Sequence, residues 1–255
     1  MQQPPQSQSK ATGWEILPIA TRKDKIKNPP ASEAHAIPRL GASVLMVGSS
    51  GSGKSTLLVS LLTEKRFFFG AFDETLIVSP TCFSDDVQQA LDLDPDNCID
   101  DVSQAPAIIM SIMKEQRQLI EEKGAHKAPQ ICLIYDDVIG DRDLLKSPEF
   151  VKSFIASRHY NITTFLCSQS WTSIPRRCRL QASNIFFFRG SASEMEKMCE
   201  EYSPPGFNKK RMMRLIDFAT KEKYSFLHIN MKVPHAERYR RGIGEIIDLE
   251  SVPND

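Results

Sequence analysis

Residues 44–55 read Val-Leu-Met-Val-Gly-Ser-Ser-Gly-Ser-Gly-Lys-Ser, an apolar run followed by a glycine- and serine-rich segment. The part from Gly48 to Ser55 matches the pattern G-x-x-x-x-G-K-[ST] at every fixed position. Its glycines let the backbone curl with the N–H groups turned inward. Those groups and the N-terminus of a following helix bind phosphate oxygens. The stretch therefore predicts a strand, a phosphate-binding loop and a helix, in that order.

The pattern assigns a role to each residue of the loop. We expect the Lys54 ammonium to reach the β- and γ-phosphates of a nucleotide and the Ser55 hydroxyl to bind Mg²⁺. A chance glycine–serine turn is the alternative, and the strand before the loop and the helix after it argue against that alternative. The predicted nucleotide-binding residues are Gly48, Ser49, Ser50, Gly51, Ser52, Gly53, Lys54, Ser55 and Thr56.

A second apolar run, Ile131 to Tyr135, ends in the two carboxylates Asp136 and Asp137. Carboxylates at the end of a buried strand are costly unless they meet a cation or hydrogen-bond donors. Asp136 is predicted to hold Mg²⁺, directly or through water, and Asp137 to orient or deprotonate the attacking water. A polar turn that caps a core strand is the alternative. Because a carboxylate pair suits activation of water, the pattern favours a nucleoside triphosphatase over a nucleotide kinase.

Two further segments offer catalytic candidates. Gln169 follows the apolar run 162–167 and is predicted to contact the γ-phosphate or the attacking water, with an ordinary surface glutamine as the alternative. Arg176, Arg177 and Arg179 come next, and a guanidinium suits stabilisation of charge on a transferring phosphate, even from a neighbouring subunit. A solvated basic loop or a contact to the DNA backbone are the alternatives for these arginines.

Alternating apolar runs and helical patterns predict an α/β fold with a mostly parallel central sheet and helices on both faces. The predicted strands cover 44–47, 75–78, 131–135, 162–167, 185–188 and 224–229. The predicted helices cover 54–64, 107–122, a segment opened by Ser147 and Pro148, a segment opened by a capping box of Ser193 and Glu196, and 208–220. The predicted organisation is a flexible N-terminal arm (1–40), one ATPase domain (41–241) and a C-terminal tail (242–255).

Composition limits the class of protein. The chain has 255 residues, of which 41% are hydrophobic and 25% charged, as in soluble globular proteins. The sequence has no apolar run near the roughly 18 residues that cross a bilayer. The first ten residues lack the apolar core of a secretory signal, and the six cysteines are scattered without a C-x-x-C pair. We therefore expect a reducing, intracellular compartment, no membrane insertion and no structural zinc.

Charge is distributed unevenly although the net charge is zero. Residues 67–151 contain 17 acidic and 6 basic residues, a net charge of −11, whereas residues 152–241 contain 7 acidic and 17 basic residues, a net charge of +10. One interpretation is two solvated faces that partly neutralise each other. The other is a basic surface for a polyanion or for an acidic neighbouring subunit.

Taken together, the motifs resemble those of a known family. The set comprises the loop at 48–55, Ile-Tyr-Asp-Asp at 134–137, Ser-Arg-His-Tyr-Asn-Ile-Thr at 157–163, Ser-Gln-Ser at 168–170 and Ile-Pro-Arg-Arg-Cys-Arg-Leu-Gln-Ala-Ser at 174–183. It is similar to the genome-packaging ATPases of large double-stranded DNA viruses, which belong to the FtsK–HerA superfamily of ring-forming DNA-pumping ATPases. The resemblance covers about residues 40–230. Arg158 and His159 come just before the predicted strand 162–167, and their spacing predicts a buried structural pair that fixes the turn between helix and strand. The resemblance also implies a structural or allosteric role for them rather than a catalytic one.

The resemblance implies an ATP- and Mg²⁺-dependent motor that packages double-stranded DNA without sequence preference. It also implies a homo-oligomeric ring, a capsid or portal component as partner, and a place in the host cytoplasm or viral factory or in association with the virion. Lys54, Asp137, Gln169 and Arg179 are the implied catalytic residues, and Arg179 best matches the arginine offered to a neighbouring subunit. Asp137 stands where many superfamily members have glutamate. The remaining alternative is a nucleotide-dependent switch or small-molecule kinase without a DNA partner.

Overall fold

A computed structural model describes residues 26–83 and 86–253, and the strands within these residues form one sheet. In chain order the strands are β1 (Ser43–Val47), β2 (Glu74–Val78), β3 (Cys98–Ile99), β4 (Ile131–Asp136), β5 (Ile162–Ser168), β6 (Asn184–Phe188), β7 (Phe226–Asn230), β8 (Tyr239–Arg241) and β9 (Glu245–Ile246). Across the sheet they lie in the order β3-β2-β4-β5-β1-β6-β7-β8-β9. The strand that precedes the glycine-rich loop therefore lies near the middle of the sheet.

The sheet is mostly parallel, as the sequence predicts. All pairings from β3 to β6 are parallel, whereas β7, β8 and β9 extend the sheet in antiparallel fashion. The last predicted strand, 224–229, begins later than expected, at Phe226, because Tyr224 has a φ of 65° and lies in a turn. The short strands β3, β8 and β9 were not predicted.

Helices cover both faces of the sheet, which confirms the predicted fold class. In chain order the α-helices of the described residues are α1 (Pro30–Glu33), α2 (Lys54–Thr63), α3 (Asp86–Ala90), α4 (Ala105–Lys123), α5 (Arg142–Lys146), α6 (Pro148–Ile155), α7 (Arg176–Gln181), α8 (Ala192–Tyr202) and α9 (Lys209–Ala219). Strand residues alternate between the two faces: Leu45 and Val47 pack with α4 to α9, and Val44 and Met46 pack with α2 and α3.

The folded part of the chain is wider than the predicted domain 41–241. Upstream, Ile37 is fully buried against the α2 face of the sheet. Downstream, β9 pairs with β8, and Ile247 and Val252 are buried in the core on the other face. The predicted arm and tail therefore pack onto the domain where the structure describes them. Residues 1–25 of the predicted arm lie outside the described residues.

Two predicted local features need correction. Ser147 caps α6 as expected, because its hydroxyl accepts the Phe150 N–H at 3.1 Å. The predicted capping box of Ser193 and Glu196 is wrong, since α8 is capped by Ser191, whose hydroxyl accepts the N–H of residue 194. Arg158 and His159 are exposed in a short 3-10 turn, so they are not a buried pair.

Candidate functional site

Three adjacent strands bring the predicted site residues to one edge of the sheet. In the parallel pairing, Val47 of β1 lies opposite Ser168 of β5, and Asp136 of β4 lies opposite Cys167 of β5. The Gly48 N–H donates to the Ser168 carbonyl at 3.1 Å, which ties the start of the loop to the end of β5. Since parallel strands end at the same edge, the loop, Asp137 and Gln169 are neighbours there.

The loop backbone favours glycine, as Gly48 and Gly53 show. A Cβ on Gly48 would lie 2.5 Å from the Phe188 Cβ, and Gly53 has a φ of 103°, which side chains rarely adopt. The Ser52 Oγ is buried and has no hydrogen-bond partner among the described residues. An unpartnered buried hydroxyl in a loop that leads into the N-terminus of a helix fits a phosphate group as the missing partner.

Lys54 points back over the loop from the first turn of α2. Its Nζ donates to the carbonyls of Gly48 at 2.8 Å and Ser49 at 3.0 Å. Burial lowers the pKa of the Lys54 ammonium from its ordinary value, while Cys167 and Asp136 act in the opposite direction. The ammonium is thus held at the mouth of the loop, where phosphate oxygens would replace carbonyl oxygens as its partners.

The two carboxylates lie at the end of β4. Asp136 ends β4 in a half-buried position, and Asp137 follows in the left-handed region with a φ of 51°. The Gln169 Nε2 donates to Asp137 Oδ1 at 3.3 Å, so the two predicted catalytic side chains contact each other. Asp136 and the exposed Ser55 hydroxyl are oxygen ligands of the type that Mg²⁺ prefers, so this edge of the sheet can hold that ion.

An open cavity of about 710 Å³ lies beside the loop. One wall is formed by the loop, α2 and the residues that follow α2, up to Phe67. The other wall is formed by residues distant in sequence: Phe188, Tyr224, Phe226 and Ile243. Its size is that of a pocket for a small organic ligand, and it combines backbone amides with aromatic surface. A nucleotide bound through its phosphates at the loop has room for its remaining atoms here.

The prediction that Arg179 serves a neighbouring subunit disagrees with the structure. Its side chain is 7% exposed and forms a bidentate pair with Glu201, with Nε and Nη2 each 2.8 Å from a carboxylate oxygen. Its Nη1 donates to the carbonyls of Ile174 at 2.7 Å and Trp171 at 3.2 Å. Because the guanidinium is committed inside its own chain, Arg179 is a structural residue here.

Arg179 belongs to a network that fixes the loop 170–174 after Gln169. From α8, the Glu194 carboxylate accepts the backbone N–H groups of Trp171 and Thr172 and the hydroxyl of Ser170. The Trp171 indole N–H donates to Glu201 at 3.0 Å. Two acidic residues of one helix therefore hold the segment that begins at the predicted sensor glutamine.

The arginines near Arg179 in the sequence lie at the surface. Arg176 and Arg177 are exposed on α7, and Arg189 forms an exposed pair with Asp217 at 3.0 Å. Sequence reasoning missed the acidic residues Glu194 and Glu201 and the cavity residue Tyr224. Of these three residues, only Glu194 could have been found from the sequence, because Ser191-x-x-Glu194 is itself a capping-box pattern. Glu201 and Tyr224 reach the site through long-range packing, which no local pattern shows.

Comparison with known proteins gives a family match. The model of the family described as "Poxvirus A32 protein" matches residues 39–241. "Uncharacterized protein 075L" of Invertebrate iridescent virus 6 is 28% identical over 153 residues, which are 58% of this chain and 55% of that protein. "Uncharacterized protein 015R" of Frog virus 3 is 25% identical over 149 residues, 58% of this chain and 44% of that protein. The chain thus spans about half the length of these curated relatives.

Solved structures share the fold at low sequence identity. The DNA-packaging ATPase B204 of Sulfolobus turreted icosahedral virus superposes with a TM-score of 0.54 at 15% identity, covering 75% of this chain and 93% of that one. The B204 genome-packaging NTPase of the related virus 2, solved with AMP, gives 0.54 at 15% identity, covering 81% and 98%. The pCW3 conjugation coupling protein TcpA gives a TM-score of 0.51 at 14% identity, covering 82% of this chain and 62% of that one.

Within residues 26–83 and 86–253, no helix has the length and apolar character to cross a membrane.

Proposed function

The chain belongs to the poxvirus A32 protein family, and from that membership and the site we propose that it is an ATP-hydrolysing motor that packages viral double-stranded DNA. The fold it shares with proteins described as DNA-packaging ATPase and genome-packaging NTPase supports the proposal. The neighbour solved with AMP supports an adenine nucleotide as the ligand of the loop.

One observation carries the proposal: the adjacent strands β1, β5 and β4 bring the candidate residues to one edge of the sheet. They are Lys54 of the loop after β1, Asp136 as the last residue of β4 with Asp137 next to it, and Gln169 after β5. In the proposed mechanism, Lys54 and the loop amides hold the β- and γ-phosphates. Ser55 and Asp136 would hold Mg²⁺, which would neutralise charge on the phosphate oxygens.

Asp137 then acts on the attacking water. Its Oδ1 accepts from the Gln169 Nε2 at 3.3 Å, which leaves Oδ2 to orient the water or take its proton. Aspartate is one methylene shorter than glutamate, and the left-handed backbone at Asp137 sets the direction of this shorter side chain. In this mechanism Gln169, which follows the strand between β4 and β1, contacts the γ-phosphate or the attacking water.

We also propose the partners that this function requires. They are double-stranded DNA bound without sequence preference, further copies of the chain in a ring, and a capsid or portal component. The proposed place of action is the viral factory in the host cytoplasm or the virion. The net charge of +10 on residues 152–241 supports a polyanionic partner.

DNA-stimulated ATP turnover tests the proposal against a metabolite kinase or switch, which should ignore DNA. With Mg²⁺ and duplex DNA, the parent should hydrolyse ATP faster than without DNA. Lys54→Ala should abolish turnover because the phosphates lose their ammonium. Asp137→Asn should bind ATP with the parent Kd and lose hydrolysis, since an amide keeps the shape and cannot accept a proton.

The matched control is Asp143→Asn, which removes an exposed carboxylate of the neighbouring helix α5 and should keep parent turnover. Turnover that does not respond to DNA would favour the kinase or switch. Parent rates in Asp137→Asn would instead remove Asp137 from the water-activating role.

A further inference from the structure

A basic groove lies between α5, α6 and α7, and no residue of the phosphate-binding loop lines it. It has a volume of about 560 Å³. Its floor and walls include the apolar surface of Leu145, Val151 and Pro175. Four exposed cationic side chains surround that surface: Arg142, Lys146, Arg176 and Arg177.

Within residues 26–83 and 86–253, none of the four cations forms an ion pair within 4.0 Å. No carboxylate among the described residues lines the groove. The nearby Asp141 is turned toward its own helix, where it accepts the N–H groups at the start of α5. Like charges gathered without counter-charge repel one another, and a bound anion relieves that repulsion.

The fold creates this grouping from separate segments. Helix α7 turns Cys178 and Arg179 into the core, which leaves Arg176 and Arg177 on its outer side. Helix α5 buries Leu144 and Leu145 and presents Arg142 and Lys146. Helices α5 and α7 both pack against α6. The basic pair on α5 therefore lines the same groove as the pair on α7, although Arg142 and Arg176 are 34 residues apart in sequence.

We infer that this groove binds the sugar–phosphate backbone of double-stranded DNA. The inference rests on the proposed function and adds where the DNA is held. Several cations spaced around one groove match successive phosphates, whereas a single small anion needs fewer. The apolar floor suits deoxyribose, and contacts to phosphate and sugar carry no sequence information, as a motor that moves along any sequence requires.

The test measures DNA affinity without nucleotide, so that it does not depend on turnover. The groove variant carries Arg142→Gln, Lys146→Gln, Arg176→Gln and Arg177→Gln. Its affinity for a labelled duplex of mixed sequence should fall at least about tenfold, and its log–log salt slope should become shallower by about 0.9 for each phosphate that the variant no longer neutralises. A lysine variant (Arg142→Lys, Arg176→Lys, Arg177→Lys) keeps the charges and should keep most of the affinity.

The matched control removes the same number of charges from exposed positions elsewhere, with Lys114→Gln, Arg158→Gln, Lys210→Gln and Lys232→Gln. It should bind DNA far better than the groove variant, and thermal unfolding should show that both are folded. Equal losses in the two variants would mean that only net charge matters and would overturn the site. The site would also be overturned if the groove variant kept the parent's DNA affinity but lost ATP turnover. The groove would then contact the nucleotide triphosphate bound to a neighbouring subunit. A parent protein that binds no DNA would instead defeat the proposed function itself.

Discussion

The contacts of Lys54 could be predicted from the sequence, whereas those of Arg179 could not. Lys54 is part of the glycine-rich motif that begins at Gly48, and this motif fixes the position of its side chain over the loop. The partner of Arg179 is Glu201 on a different helix, 22 residues away. No sequence pattern near Arg179 predicts that contact. From the sequence alone, nothing distinguishes Arg179, which is buried, from Arg176 and Arg177, which are exposed.

The burial of Arg179 predicts a large effect on stability. Arg179→Ala should lower the free energy of unfolding by about 3–5 kcal/mol, because it leaves the Glu201 carboxylate buried without a counter-charge. Urea unfolding followed by circular dichroism measures this change. The double variant Arg179→Met with Glu201→Met should recover much of the loss, since it removes both charges. If Arg179→Ala keeps parent stability and loses only hydrolysis, the structural role assigned to Arg179 is wrong.

At the scale of elements, α8 shows why helix starts are hard to place from sequence. Both Ser191-x-x-Glu194 and Ser193-x-x-Glu196 fit a capping box, and the pattern cannot choose between them. In the fold, Ser191 caps the helix while the Glu194 carboxylate reaches the loop after β5. The long apolar strands were predictable, whereas β3 and β9, with two residues each, are too short to give a pattern.

The contacts of Glu194 predict a kinetic effect. Glu194→Gln should loosen the loop 170–172 and so misplace Gln169, because an amide loses the charge and one of the acceptors that hold the loop. We expect kcat to fall roughly 10- to 100-fold, the range for a reacting group displaced by about an ångström. KM for ATP should stay near the parent value, since the loop and Lys54 are unchanged.

The control for this prediction is Glu196→Gln, on the same helix. Glu196 forms an exposed pair with Lys209 at 2.9 Å and does not contact the loop, so its variant should keep both constants. A parallel change of kcat and KM in Glu194→Gln, or no change in either, would argue against a positioning role.

At the scale of the whole molecule, the sheet separates most strands of the two blocks of charge. The strands of the acidic block 67–151, β2 to β4, form one end of the sheet, and β6 to β8 of the basic block lie beyond β1 toward the other end. Strand β5 of the basic block is the exception, because it pairs with β4 of the acidic block. The two blocks therefore meet at β4 and β5 and diverge from there along the sheet. Counts of charged residues along the sequence show the imbalance, but the strand order depends on long-range pairing, which the sequence does not show.

The antiparallel end of the sheet predicts how stability depends on pH. His228 of β7 is fully buried, stacks on Phe186 and donates from Nε2 to Asn184 Oδ1 at 3.0 Å. Burial, with a smaller contribution from Arg240, lowers the pKa of His228 from 6.5 to about 3. Its Nδ1 has no partner among the described residues, so protonation would create a buried, unpaired N–H donor beside a guanidinium.

The unfolded chain takes up this proton near pH 6.5 and the folded chain only near pH 3, so stability should decrease as pH falls between these values. The slope contributed by His228 is at most about 1.4 kcal/mol per pH unit. Because β7 is hydrogen bonded into the one sheet, the loss should appear in global urea unfolding measured at a series of pH values. His228→Gln, which can still donate to Asn184, should show a shallower decline over that range, and the exposed His159→Gln should follow the parent. An unchanged decline in His228→Gln would assign the acid sensitivity to other groups.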